Sequence, residues 1–303
     1  MRKTTSSKFR PQNRAWLNNF RYYLEAEQGL AENSVVSYFQ DCQEFVNFIS
    51  CRLEEVIAKD VIEYLATLKE MGFAGSSIAR KRSAIKSLLK FMIEEDIELK
   101  LNLADIPPIR YANKIPDVLS LHEMLKLLDN IPTETPLGWR NKAMLELMYA
   151  CGLRVSETIN LTIHDIYWGE QVVRVMGKGR KQRVIPIAEK SLEFLKTYQD
   201  LYRPLIRNYN QDDTLFLNRF GKQLSRMGVW KIINKLALQT GIDKKVSPHT
   251  IRHSFATHLV KAGANLRIVQ ILLGHASINT TQIYSNIDKS FIIKEHRLYH
   301  PRK

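Results

Sequence analysis

The sequence predicts a two-domain, mainly α protein: an N-terminal four-helix bundle, then a mostly helical α+β domain carrying a small antiparallel sheet. Three observations lead there. Apolar residues recur at helical spacing through the first hundred positions. A stretch with three prolines and no period then interrupts them. Beyond it, two β-rich runs flank a Gly-Lys-Gly turn before helical spacing resumes. At 303 residues the chain is long for one core and comfortable for two. The expected division is 1–108 for the bundle, 109–117 for a linker and 118–303 for the second domain.

The first helix is read from Trp16, Phe20, Tyr23 and Leu24, a stripe that Gly29 ends. Asn33 is a candidate cap for the second, whose stripe runs Tyr38, Cys42, Phe45, Val46 and Ile49. A third covers about Val56 to Met71 and stops at Gly72. The fourth runs from about Ser76 to Glu95, with Ile78, Ile85, Leu88, Leu89 and Met92 on its apolar side. Leu101 to Asp117 holds Pro107, Pro108 and Pro116 and reads as linker.

In the second domain Ser120 caps a helix to about Leu128, and another spans Arg140 to Ala150. Gln171–Val175 and Arg183–Ile187 form a hairpin around Gly177-Lys178-Gly179. No internal repeat or low-complexity tract is present.

Lys and Arg number 45 against 31 Asp and Glu, a net charge of +14. An excess of that size suits a polyanion, nucleic acid or an anionic membrane surface. No run of about 18 apolar residues offers a membrane span. The basic N-terminus is not followed by the apolar stretch of a secretory signal. Cys42, Cys51 and Cys151 are scattered without metal-ligand spacing and read as reduced apolar fillers of a cytoplasmic protein.

Several residues are candidates for chemistry, and each taken singly has an ordinary explanation. Ser247-Pro248 is a helix start, which puts His249 and Arg252 on one face of a first turn where unpaired amides already favour an anion. A lone His-x-x-Arg is more often an amphipathic helix. Arg154 follows Gly152 at a helix junction, where a surface arginine is the default. Lys178 sits between two glycines at the hairpin tip, either a solvated turn or a proton donor on a flexible finger. Gly274 ends a helix and leaves His275 just beyond it. Asn279 and Gln282 resemble a capping pair, with Tyr284 early in a short helix.

Together, in order, spacing and type, Arg154, Lys178, His249-x-x-Arg252, Leu273-Gly274-His275 and Tyr284 resemble the tyrosine recombinase (phage integrase) superfamily. Gly152–Glu157, Phe255–Leu259, Thr280–Tyr284, Leu30–Ser34 and His300-Pro301-Arg302 are similar to its Xer branch, over nearly the whole chain.

The resemblance implies a SAM-like core-binding bundle that closes on DNA opposite a catalytic domain. Arg154 and Arg252 would hold the scissile phosphate, since forked, permanently charged donors suit the charge that builds on its oxygens. His275 would add a hydrogen bond. Tyr284 would attack phosphorus to give a 3′-phosphotyrosyl intermediate. Lys178 would protonate the leaving 5′ oxygen, and His249 would act as acid or base. The phosphotyrosine conserves bond energy, so neither ATP nor a metal is expected, and no cofactor is assigned. Implied partners are a duplex DNA recombination site, a tetramer on two duplexes, a second Xer recombinase and a DNA translocase, with the segment Ser290–Tyr299 docking into a neighbouring subunit and no membrane. The implied role is resolution of chromosome dimers at cell division. A phage or transposon integrase, a type IB topoisomerase and a non-catalytic DNA-binding regulator are the alternatives. Arg80, Lys81, Arg82, Lys86 and Lys90 lie on the fourth helix, with no acid between Ser76 and Lys90. They read as a phosphate-contacting or a merely solvated face.

Overall fold

The computed structural model describes residues 11–109, 118–177, 182–209, 213–274 and 289–302. The chain forms two compact units, Met1–Lys114 and Ile115–Lys303. The expected linker, 109–117, lies almost wholly outside the described residues.

The first unit holds α1 (Pro11–Tyr22), which continues as a π-helical turn (Tyr23–Glu27), then α2 (Glu32–Phe48), α3 (Ala58–Glu70) and α4 (Gly75–Glu94). Leu17, Phe20, Tyr23 and Leu24 are buried. Trp16, expected in that stripe, is only half-buried and donates its indole N–H to Glu54 Oε1 at 2.7 Å. The wider π turn holds Tyr23 and Leu24 on the core side. Asn33 does not cap α2. The chain turns helical after Ala31, and Asn33 lies within the first turn, where its carbonyl accepts from Ser37 Oγ. The five apolar residues expected on the inner face of α4 are all buried. Burial of a side chain such as Leu88 contributes about 1.5–3 kcal/mol.

The second unit is built around α6 (Pro136–Cys151), buried on nearly every side. It begins a turn earlier than expected, because the Thr135 hydroxyl accepts from Gly138 N and Pro136 takes the first helical position. α5 (Leu121–Asp129) precedes it with the expected Ser120 cap, reinforced by Glu123 accepting from Ser120 N. α7 (Val155–Asn160) follows, then a three-stranded antiparallel sheet in the order β1 (Ile166–Tyr167), β2 (Val172–Met176), β3 (Gln182–Pro186). The register sets Val173 opposite Ile185 and Val175 opposite Arg183. β1, two residues long, was too short to be read from alternation. The domain is completed by α8 (Glu189–Thr197), α9 (Arg226–Gln239), α10 (Pro248–Ala262), α11 (Leu266–Leu273) and α12 (Lys289–Tyr299).

Two contacts fix α10 against α6. Gly152 ends α6 at φ +58°, and a Cβ there would lie 2.4 Å from the Phe255 ring. His258 Nε2 faces the Leu119 carbonyl at 2.9 Å, which makes it the donor and leaves Nδ1 to accept from Tyr149 Oη at 2.8 Å. α12 lies on its own domain, with His296 Nε2 donating to the Ala150 carbonyl at 2.8 Å. Just beyond it, Arg302 reaches Glu146 and Asp129. Docking of α12 into a neighbour, as the resemblance implies, would require these contacts to be exchanged for equivalent ones.

Candidate active site

Arg154 is the N-cap of α7, as the junction predicted, and Glu157 at the third helical position closes back on it. Arg154 N donates to Glu157 Oε2 at 2.8 Å and its Nη1 to Oε1 at 2.9 Å. Arg183, on β3, clasps the same carboxylate with both terminal nitrogens, at 2.8 and 2.9 Å. Arg252 approaches it with Nη1 at 3.9 Å. Three guanidiniums thus surround one buried carboxylate. Burial alone would raise the Glu157 pKa, but the hydrogen bonds and charge of Arg183, followed by Arg154, hold it below the ordinary value.

Arg252 is in the first turn of α10, whose start at Ser247-Pro248 has the predicted cap. Its side chain is 9% exposed. Nη1 donates to the Gly152 carbonyl at 2.6 Å and Nη2 to the Leu273 carbonyl. Burial, with the charge of Arg154 next, lowers its pKa to about 10, so it stays charged at neutral pH. Arg154 Nη2 donates to the Gly274 carbonyl at 3.2 Å, and Arg183 Nε to the Leu272 carbonyl at 3.1 Å. The last carbonyls of α11 are therefore held one each by Arg183, Arg252 and Arg154, at the negative end of that helix. Gly274 takes the expected left-handed cap, φ +63°.

His249 and His253, in the first two turns of α10, are exposed, whereas Arg252 beside them is buried. With Trp230, Asn234 and Lys245 they line a groove of about 650 Å³. Burial, then the charges of His249 and Arg252, lower the His253 pKa, so its ring is neutral at physiological pH. Arg154 and Arg252 are brought together. Lys178, His275 and Tyr284, and the Asn279–Gln282 pair, lie outside the described residues. Glu157 and Arg183 were missed by sequence reasoning. The Arg-x-x-Glu spacing at a helix start could have revealed Glu157 as a capping partner. Nothing local marks Arg183, because its partners are distant in sequence.

The cations of α4 separate into two kinds. Lys81 is buried and donates to Asp41 at 2.9 Å and Glu44 at 2.7 Å, acids of α2 rather than of its own helix. Arg82 donates to the Ile106 carbonyl. Arg80 pairs with Asp41 yet remains 44% exposed, and Lys90 pairs with Glu94 on the surface. Lys86 makes no ion pair among the described residues. Among those residues no helix is long and apolar enough to cross a membrane, and no three His, Cys, Asp or Glu side chains gather as a metal site.

Comparison with known proteins gives the same picture. Residues 117–290 match the phage integrase family, and residues 17–96 match the phage integrase N-terminal SAM-like domain. The chain is 41% identical over 296 residues to tyrosine recombinase XerD of Chlorobaculum tepidum, covering 95% of this chain and 97% of that protein. It is 39% identical to the XerD of Oceanobacillus iheyensis, over 94% and 98% of the two chains. In fold it is similar to XerH site-specific recombinase bound to palindromic difH substrate, at TM-score 0.70 and 22% identity over 97% and 98% of the chains. A lambda integrase dimer bound to a core site aligns at TM-score 0.69 and 17% identity, covering 96% of each chain. The chain belongs to the phage integrase family, the tyrosine recombinases.

Proposed function

We propose that the protein is a site-specific recombinase that cuts and rejoins duplex DNA through a 3′-phosphotyrosyl link to Tyr284. The observation that carries this is the convergence of Arg154 and Arg252 beside the end of α11. Each has donors on a planar fork, and each is oriented by carbonyls and by Glu157, so little reorganisation is needed to receive a phosphate. His275 follows Gly274 directly in sequence, and Tyr284 follows nine residues later. Tyr284 attacks phosphorus, the P–O5′ bond breaks, and Lys178 gives its proton to the leaving oxygen. His249, exposed on the groove beside α10, accepts the Tyr284 proton. A second strand's 5′ hydroxyl then reverses the chemistry on a new partner.

The substrate is a duplex recombination site, bound by both the 1–108 core-binding domain and the 118–303 catalytic domain, with Arg80, Lys86 and Lys90 as the phosphate contacts of α4. Similarity to XerD proteins supports resolution of chromosome dimers in the cytoplasm, by a tetramer on two duplexes with a second recombinase and a translocase. The test is a nicked suicide duplex, from which the cleaved end diffuses away and traps the adduct. The native chain forms a covalent complex that survives denaturation, while Tyr284→Phe binds equally well and forms none. An adduct in the phenylalanine variant would remove Tyr284 from the role.

A further inference from the structure

We propose that Arg183 is a positioning residue for strand cleavage, acting on Arg154 through Glu157. This rests on the reading of Arg154 as a ligand of the scissile phosphate.

Glu157 has two carboxylate oxygens and three arginines around it. Arg183 takes both oxygens in a bidentate pair, and Arg154 shares Oε1 through Nη1 and Oε2 through its backbone amide. A carboxylate fixed by a fork in this way cannot swing, so the Arg154 guanidinium meets it in one direction only. The third Arg183 nitrogen, Nε, holds the Leu272 carbonyl. The guanidinium packs closely beneath Gly274, where a Cβ would come within 3.1 Å of Cζ. Arg154 reaches the Gly274 carbonyl from the same region. Arg183 therefore fixes both anchors of Arg154: the carboxylate and the end of α11. Both terminal nitrogens of its fork are taken by Glu157 and its Nε by the Leu272 carbonyl, so it is placed to support Arg154.

If Arg183 works by aiming a positive charge at a non-bridging oxygen, its loss should matter less when that oxygen carries no charge. The test compares cleavage of a nicked duplex with a natural scissile phosphate and one with a neutral methylphosphonate there. Arg183→Gln should slow cleavage of the natural duplex by roughly 10²-fold with little change in DNA affinity, the scale of a small misplacement. On the methylphosphonate the deficit should shrink to about tenfold or less, because less charge develops to be neutralised. Arg183→Lys keeps the charge without the fork, and should fall between the two. In a Glu157→Gln background, adding Arg183→Gln should cost little more. If the glutamine variant does not fold, the lysine variant carries the same comparison. A native rate in the variant, or equal deficits on the two substrates, overturns the proposal. Failure of the native chain to cleave either duplex would instead overturn the recombinase reading itself.

Discussion

Arg252 and Lys81 are both charged and both buried, and their surroundings give them opposite duties. Lys81 is matched by two acids and its side chain is almost wholly buried, so it is a structural cation. Arg252 has one distant carboxylate at 3.9 Å and two carbonyls, an incomplete neutralisation that leaves positive potential for an anion. A 5′ alkoxide leaves poorly, and in the proposed reaction Lys178 protonates it. Lys178→Ala should slow cleavage by about 10²–10⁴-fold. A duplex with sulfur in place of the bridging 5′ oxygen should recover most of the rate, since a thiolate leaves without protonation. Equal impairment on both duplexes would assign the proton to another residue.

At the scale of the element, α4 shows how far a helix's outer face differs from its list of charges. Lys81 falls between Ile78 and Ile85 on the inner side, and turns to the acids of α2. Its replacement by alanine leaves the buried Asp41 with only the partly exposed Arg80 as its partner and should cost about 1–3 kcal/mol of stability, visible in the unfolding midpoint. Arg80, Lys86 and Lys90 remain available to DNA. Each alanine substitution among these three should flatten the dependence of log affinity on log salt by about 0.9, one phosphate contact on duplex DNA, equally for all sequences. Unchanged slopes in all three would make α4 a solvated face and move the first domain's contacts elsewhere. In α10 the Ser247-Pro248 start follows from the helix's own sequence, but the burial of Arg252 beside the exposed histidines does not.

At the scale of the molecule, two separate apolar cores carry the two units, and the C-terminus is bound into the second. His296 and His300 stack at 4.9 Å beside Phe255, and both are almost fully buried. Burial lowers the His296 pKa to about 4 and the His300 pKa well below its ordinary value. In the unfolded chain each titrates near 6.5. Between about 6.5 and 4 the unfolded state binds protons that the fold refuses, so stability falls as pH falls through that window and is insensitive to these groups above it. The slope approaches about 1.4 kcal/mol per pH unit for each histidine once its unfolded form is protonated. Thermal midpoints should therefore drop between pH 6.5 and 5, and His296→Phe should make that drop shallower. An identical pH dependence in the variant would exclude His296 as a source.

The sequence by itself determined several helix caps, the two strands that pair as β2 and β3, and the order of the candidate positions. Caps such as Ser120 and Ser247, and the left-handed glycines Gly152 and Gly274, are local requirements of the backbone, set by neighbours within a few residues. It also carried the family, because six chemical positions at fixed spacing are a one-dimensional signal. Only the tertiary structure decided which charges face inward. Lys81 meets its acids across 37 and 40 residues of chain, and Arg183 meets Glu157 across 26 and Leu272 across 89. The pairing of a buried charge depends on where separate elements come together, and periodicity along one element contains no record of that.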